Sequence, residues 1–450
     1  MIKQIMMIKT VFKGLMFAFV FFSTLCLTKL YAQTTSYKFD FGDGKVAKGY
    51  TQVLPSDVYS ASKGYGFDLG STVIAVDRKG KDPLKSDFIT SDKPFYFSIN
   101  LPEGNYNITI TFGDLNEATT TTVKAESRRL MLENIVTKPG EFITKTFTVN
   151  RKDRNINSSQ TVKLKDRELS KLDWDDKLTL EFNNTKPNIV AMEVTKVTDA
   201  VTVYLCGNST VVNQDDEPWA SWGQMIPNFF NAGVSIANHA ESGLTLGSFM
   251  GSKRLEKIMS VIKPGDYLFV EFGHNDQKEK GPNDGAWKSY TERLKFFISE
   301  AKRKGAIPVV VTSTARRKFD STGKSENTLG DFPAAARKAA SEEGVALIDL
   351  NVMSSLFYDA MGVEESKKAF VHYPANSYPG QTKALADNTH FNPYGAYELA
   401  KCIVEGIKLN KLGLVSFLKD PTYTFNPSKP DTDWHWYESP RSNIVKPDGN

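Results

Sequence analysis

Two rhythms of apolar and polar residues divide the chain near residue 197. From about residue 33 to that point, apolar positions recur every second residue over short runs. Residues 37–41 and 106–112 alternate, 95–101 are mostly apolar, and 142–149, 177–182 and 189–197 continue the pattern, with Gly, Pro and Asn between them. A period of two puts alternate side chains on one face of a strand, so these runs predict an antiparallel β-sandwich with no helix of useful length.

Beyond 197, short apolar runs at 201–206, 234–240, 266–272, 307–312 and 345–350 alternate with longer amphipathic stretches. In residues 287–304, Tyr290, Leu294, Phe297, Ile298 and Ala301 fall on one helical face, and Gly305 closes the stretch. Asn392 and Pro393 predict a capped start for the last helix. That helix runs to about Leu409, with Tyr397, Ala400, Ile403, Val404 and Ile407 turned inward. Strand and helix in repetition predict a parallel sheet covered on both faces, with ligands at the carboxyl ends of its strands.

The two ends differ from the body. Residues 1–32 carry Lys3, Lys9, Lys13 and Lys29 and no acid, with an apolar run at 14–27 followed by Leu30, Tyr31 and Ala32. That order predicts a secretory signal, its apolar run shorter than the ~20 residues of a membrane span. No other segment is long and apolar enough to span, so the expectation is an exported protein, periplasmic or extracellular. Residues 419–450 form a Pro-rich tail, yet Trp434, Trp436 and Tyr437 make it aromatic enough to dock onto the body.

Composition narrows the choice of partner. With 40% hydrophobic and 24% charged residues among 450, disorder is excluded as the overall state. Taking the leader's four Lys from the 56 basic residues leaves as many as the 52 acidic ones. A neutral chain without a basic stripe excludes nucleic acid as the expected partner. Cys206 and Cys402 lie in strand-like and helix-like runs and read as buried free thiols. Five His without paired-Cys or H-E-x-x-H spacing predict no metal site.

Candidate chemistry sits where the apolar runs end. Gly207-Asn208-Ser209-Thr210 follows the first, Glu241-Ser242-Gly243 the second and Gly273-His274-Asn275-Asp276 the third, while Asp387-Asn388-Thr389-His390 precedes the last helix. Each alone is ordinary: a glycine turn bearing Ser, a loop Gly, an Asn bonding its own loop, a surface Asp and His. In order, they resemble the SGNH hydrolases, also called the GDSL family. Residues 202–211, 222–225, 238–240, 264–266, 273–277, 305–308, 314–317 and 386–391 are similar to the bacterial rhamnogalacturonan acetylesterases within that group. The similarity runs from about Val201 to Leu409. Phe39-Asp40-Phe41-Gly42 and Gly64-Tyr65-Gly66-Phe67 more loosely resemble galactose-binding-like modules.

The resemblance implies two domains: a galactose-binding-like all-β sandwich at 33–197, and an α/β/α hydrolase at 198–418 with a five-stranded parallel sheet. It implies Ser209 as nucleophile, His390 as its base and Asp387 orienting His390 in a tight loop. The oxyanion hole would use the N–H groups of Ser209 and Gly243 and the amide of Asn275. No cofactor is required, and activity rises with pH through about 6.5, the reference value of His. The implied substrate is an acetylated plant polysaccharide or oligosaccharide, rhamnogalacturonan first. Acetylxylan or another glycan, and a catalytically dead carbohydrate-binding protein, stay open. Asn208 departs from the Asp of most members and removes a negative charge beside the site. His274, His372 and Tyr373 would line the cleft or support loops, and Trp219 and Trp222 would stack sugar or pack in the core.

Overall fold

In a computed structural model, residues 36–440 are described; the leader expected at 1–32 lies outside them. Most of the predicted alternating runs become strands of two facing five-stranded sheets. One runs Phe142–Arg151, Gly104–Gly113, Ala191–Val197, Ser36–Phe41, Thr51–Val53; the other runs Tyr65–Asp68, Phe95–Asn100, Lys177–Lys186, Thr119–Ala125, Arg129–Thr137. Their inward faces meet in an aromatic core. Phe41 and Phe97 cross at 5.0 Å and 72°, and Phe95 stacks on Phe182 at 5.0 Å and 10°. Such ring pairs stabilise beyond their buried area by about 0.5–1.5 kcal/mol each. The only helical segments among the described residues before 197 are two short 3₁₀ turns, Asp166–Ser170 and Leu172–Trp174.

One strand of the second sheet carries no clear alternation. Thr119–Ala125 reads Thr-Thr-Thr-Thr-Val-Lys-Ala and is almost wholly buried. Its buried polar side chains find partners inside the fold, Lys124 with Glu181 and Ser439 and Thr119 with Thr137, so the period of two is lost.

The second half builds a parallel sheet from β1 (Val201–Gly207), β2 (Val234–Asn238), β3 (Tyr267–Phe272), β4 (Ile307–Thr312) and β5 (Ala346–Ile348), in the order β2-β1-β3-β4-β5. β2 lies on one side of β1 and β3 on the other, so the winding reverses there and opens a crevice beyond the carboxyl ends of β1 and β3. Helix Thr291–Arg303 buries Leu294, Phe297, Ile298 and Ala301 as its spacing predicts. It starts at Thr291, after a separate turn over Ala286–Tyr290, rather than at 287. Asn392 caps helix Pro393–Leu409, its Oδ1 accepting from Gly395 N–H at 3.0 Å. Cys206 and Cys402 are buried and free. No helix among the described residues is long and apolar enough to cross a membrane.

The halves pack as one compact unit. At the free edge of β2, carbonyls that lack a neighbouring strand accept from sandwich cations. Arg129 Nη1 donates to Ile236 O at 3.1 Å and Lys152 Nζ to Asn238 O at 2.6 Å. These long cations cover an exposed strand edge that would otherwise template pairing with another chain. The tail docks on both halves. Trp434 stacks on Tyr397 at 4.3 Å, Trp436 Nε1 donates to Glu217 at 2.8 Å, and Ser439 Oγ donates to Glu181 at 2.7 Å.

Candidate active site

Ser209 follows β1 on a turn that only Gly207 allows. A Cβ at Gly207 would lie 2.4 Å from Val211 Cγ2. Val211 and Val212 N–H both return to Asn208 O at 3.0 Å, which lifts Ser209 above the strand end. Its carbonyl accepts from Gln214 Nε2 at 2.9 Å.

Asp387 and His390 lie in strand Leu385–Phe391, not in a tight loop. This strand pairs with Phe370–Tyr373 through a register break: Phe370 faces Phe391 while His372 faces Ala386. The break has a local cause. Asp387 Oδ1 accepts from the N–H groups of Thr389 at 2.8 Å and His390 at 3.0 Å, so those donors leave the ladder. The same carboxylate reaches His390 Nδ1 through Oδ2 at 2.8 Å, and His390 Nε2 lies 2.8 Å from Ser209 Oγ. With Nδ1–H donating to Asp387, the Nε2 lone pair faces the Ser209 hydroxyl. All three side chains are buried. Burial opposes the ionisation of Asp387, yet its bonds to His390 and the two backbone N–H groups outweigh this and hold it down at about 2.

The turn after β2 brings Gly243 to the same crevice. Leu244 N–H returns to Glu241 O at 3.3 Å, and Gly243 has φ of +81°, a backbone region open to Gly. After β3, Asn275 Nδ2 donates one hydrogen to Leu244 O at 3.2 Å. The N–H groups of Ser209 and Gly243 donate to no group among the described residues, so neither donor is spent on a bond there.

The polar surroundings include groups that motif spacing did not single out. Glu271, in the apolar run of β3, accepts from Trp222 Nε1 at 2.5 Å and Thr210 Oγ1 at 2.8 Å. Burial raises its carboxyl to about 7. Trp222 is buried in the core, while Trp219, also buried, lines a cleft beside the Ser242 turn. Asn208 Oδ1 accepts from Thr210 N–H at 3.2 Å, while its buried Nδ2 has no partner. His274 is buried; burial first, then Arg316 and His390, outweigh a bond to the Thr314 backbone and hold its imidazole well below the usual range. His372 Nε2 lies 2.9 Å from Asn388 Oδ1, and Tyr373 OH accepts from Asn392 at 3.2 Å, so both brace the strand pair carrying Asp387 and His390. Beside the Ser242 turn a cleft of about 210 Å³ draws Arg128 and Arg167 from the sandwich and Gln214 and Trp219 from the other half.

Comparison with known proteins gives this geometry a family. Residues 205–396 match the GDSL-like lipase/acylhydrolase family, and residues 37–167 match the β-agarase/YXIM esterase-like, galactose-binding domain-like family. Rhamnogalacturonan acetylesterase RhgT of Bacillus subtilis is 42% identical over 216 residues, 48% of this chain and 91% of its own. The chain belongs to the GDSL-like lipase/acylhydrolase family. A second relative, the uncharacterised esterase YxiM of Bacillus subtilis, is 28% identical over 396 residues, 86% of this chain and 94% of its own. The crystal structure of YxiM covers 84% of this chain and 99% of that one, with a TM-score of 0.45. This GDSL protein is therefore a serine esterase related to the rhamnogalacturonan acetylesterases, preceded by a galactose-binding-like domain.

Proposed function

We propose that the protein is an exported carbohydrate esterase that removes O-acetyl groups from rhamnogalacturonan. The observation that carries the chemistry is the continuous chain from Ser209 Oγ through His390 to Asp387, both links 2.8 Å. Likeness to RhgT supports the pectic substrate, and the Lys-bearing apolar leader supports export.

His390 Nε2 takes the Ser209 proton as Oγ adds to the acetyl carbonyl. The resulting oxyanion accepts from the N–H groups of Ser209 and Gly243 and the amide of Asn275. Collapse breaks the ester bond, and His390 returns the proton to the departing sugar hydroxyl. A water then gives its proton to His390 and attacks the acetyl-enzyme; acetate leaves and Ser209 is restored. Asp387 stays ionised and stabilises the imidazolium between the two transfers.

The test is acetate release by the leader-free protein from acetylated rhamnogalacturonan and acetylated xylan, with Ser209→Ala as control. Preference for the first, lowered by a factor on the order of 10⁴ or more in the variant, is expected. Equal or xylan-biased release overturns the pectic assignment alone. Release that survives in Ser209→Ala overturns the site.

A further inference from the structure

The sandwich does more than cover an edge: three of its cations converge on the turn that holds Gly243. Lys165 Nζ donates to Ser242 O at 2.6 Å and Arg167 Nη2 to the same oxygen at 3.1 Å. Arg167 also pairs with Glu241 Oε1, and Lys171 Nζ lies 3.3 Å from Glu241 Oε2. Glu241 Oε1 in turn accepts from Ser242 N–H at 2.9 Å. Burial opposes the ionisation of Glu241, but Lys171, Arg167 and Arg254 hold its carboxyl well below the usual range.

The geometry of the turn makes that carbonyl consequential. Glu241 to Leu244 form a β-turn with Gly243 at the third position, and its φ of +81° matches a type II turn, near +80° there. Types I and II differ by rotation of the middle peptide, which here joins Ser242 C=O to Gly243 N–H. The two groups point in opposite directions from one plane. An anchor on the oxygen therefore sets where the N–H points, and hydrogen bonds from two cations polarise the peptide and strengthen its donor.

The anchor is itself built into the fold. Lys165 N–H donates to Glu168 Oε2 at 2.9 Å, and Arg254 of the second half grips both oxygens of Glu168 at 2.7 and 2.6 Å. This pair is fully buried. It ties segment 165–171 over the turn.

We infer that Lys165 and Arg167 of the sandwich are positioning residues for ester hydrolysis, clamping the Ser242 carbonyl so that Gly243 N–H is held and polarised as an oxyanion donor. The inference rests on the oxyanion role of Gly243 proposed above. It makes the N-terminal domain part of the catalytic apparatus without contact to substrate.

The test uses the full leader-free chain with p-nitrophenyl acetate as substrate and phenylboronic acid as a tetrahedral mimic on Ser209. Lys165→Met/Arg167→Met is expected to lower kcat about 10²-fold, the scale of one lost oxyanion donor, with KM within about threefold. Boronate inhibition weakens in parallel, and Lys165→Arg alone keeps activity within about fivefold because it keeps the cation. Lys257→Met removes another interdomain cation, bonded to Glu103 at 2.8 Å and Asn155 O at 2.7 Å, and leaves kcat unchanged. Should the double variant not fold, the two single Met variants give the same comparison, each expected at about tenfold. Folded variants with unchanged kcat, or a loss confined to KM, overturn the clamp while Ser209→Ala remains inactive. Hydrolysis that persists in Ser209→Ala overturns the site and the clamp together.

Discussion

The two halves bury charge in opposite ways. Where the sandwich meets the α/β half, its buried ions stand opposite a counter-charge or a carbonyl: Arg254 with Glu168, Lys152 with Asp173 and Asn238 O, Arg129 with Ile236 O. At the carboxyl ends of the parallel sheet, buried carboxyls meet mostly neutral donors. Glu271 faces Trp222 Nε1 and Thr210, and Asp276 faces the N–H groups of Leu246 and Gly273. Burial lifts both to about 7. Asp387, also buried, is instead held at about 2 by His390 and two backbone N–H groups. Buried carboxyls thus ionise in opposite directions according to what faces each group. The seam uses matched charge as bracing, Glu241 of the second half against Arg167 and Lys171 included, whereas Asp387 is held ionised where an imidazolium forms.

Three substitutions sharpen that contrast. Asp387→Asn strikes the one carboxylate held ionised beside His390. A drop in kcat on the order of 10²–10⁴ is expected with the fold intact, read as acetate release beside circular dichroism. Activity within tenfold of the parent would remove Asp387 from its role. Arg254→Met strikes the bracing. It strands buried Glu168, and a loss of about 3–5 kcal/mol in unfolding free energy is expected from urea titration. A change under about 1 kcal/mol would mean that the pair does not join the halves as described.

The smallest effect concerns pH. Glu271 is raised from 4.5 to about 7 in the folded chain, so the unfolded chain releases its proton first. Stability from this group is present in full below pH about 4.5 and declines as pH climbs to about 7, by on the order of 1–3 kcal/mol. Glu271→Gln should flatten that part of the wild-type stability curve, measured by denaturant unfolding between pH 4 and 8. A decline of unchanged size in the variant would place the titration elsewhere.

Much of this was legible beforehand because it is local. Alternation at 106–112 and the helical face of Leu294, Phe297, Ile298 and Ala301 are properties of neighbours along the chain, and both sets are buried as their periods require. Asp387 and His390 are three residues apart, within direct hydrogen-bond reach. The glycine turns after β1 and β2 were visible for the same reason. Thr119–Ala125 was not, since its buried polar side chains find partners far along the chain, Lys124 with Glu181 and Ser439.

What the chain pattern determined by itself was therefore the two architectures and the short blocks that bear reactive groups. Tertiary structure alone decided which blocks meet: His390 reaches Ser209 across 181 residues and Lys165 reaches Ser242 across 77. It also decided that Glu271 is raised while Asp387 is lowered, and that Trp222 packs in the core while Trp219 lines a cleft. Hydrophobic periodicity is carried by adjacent residues, whereas ionisation and donor orientation depend on whatever the fold brings within a few ångströms.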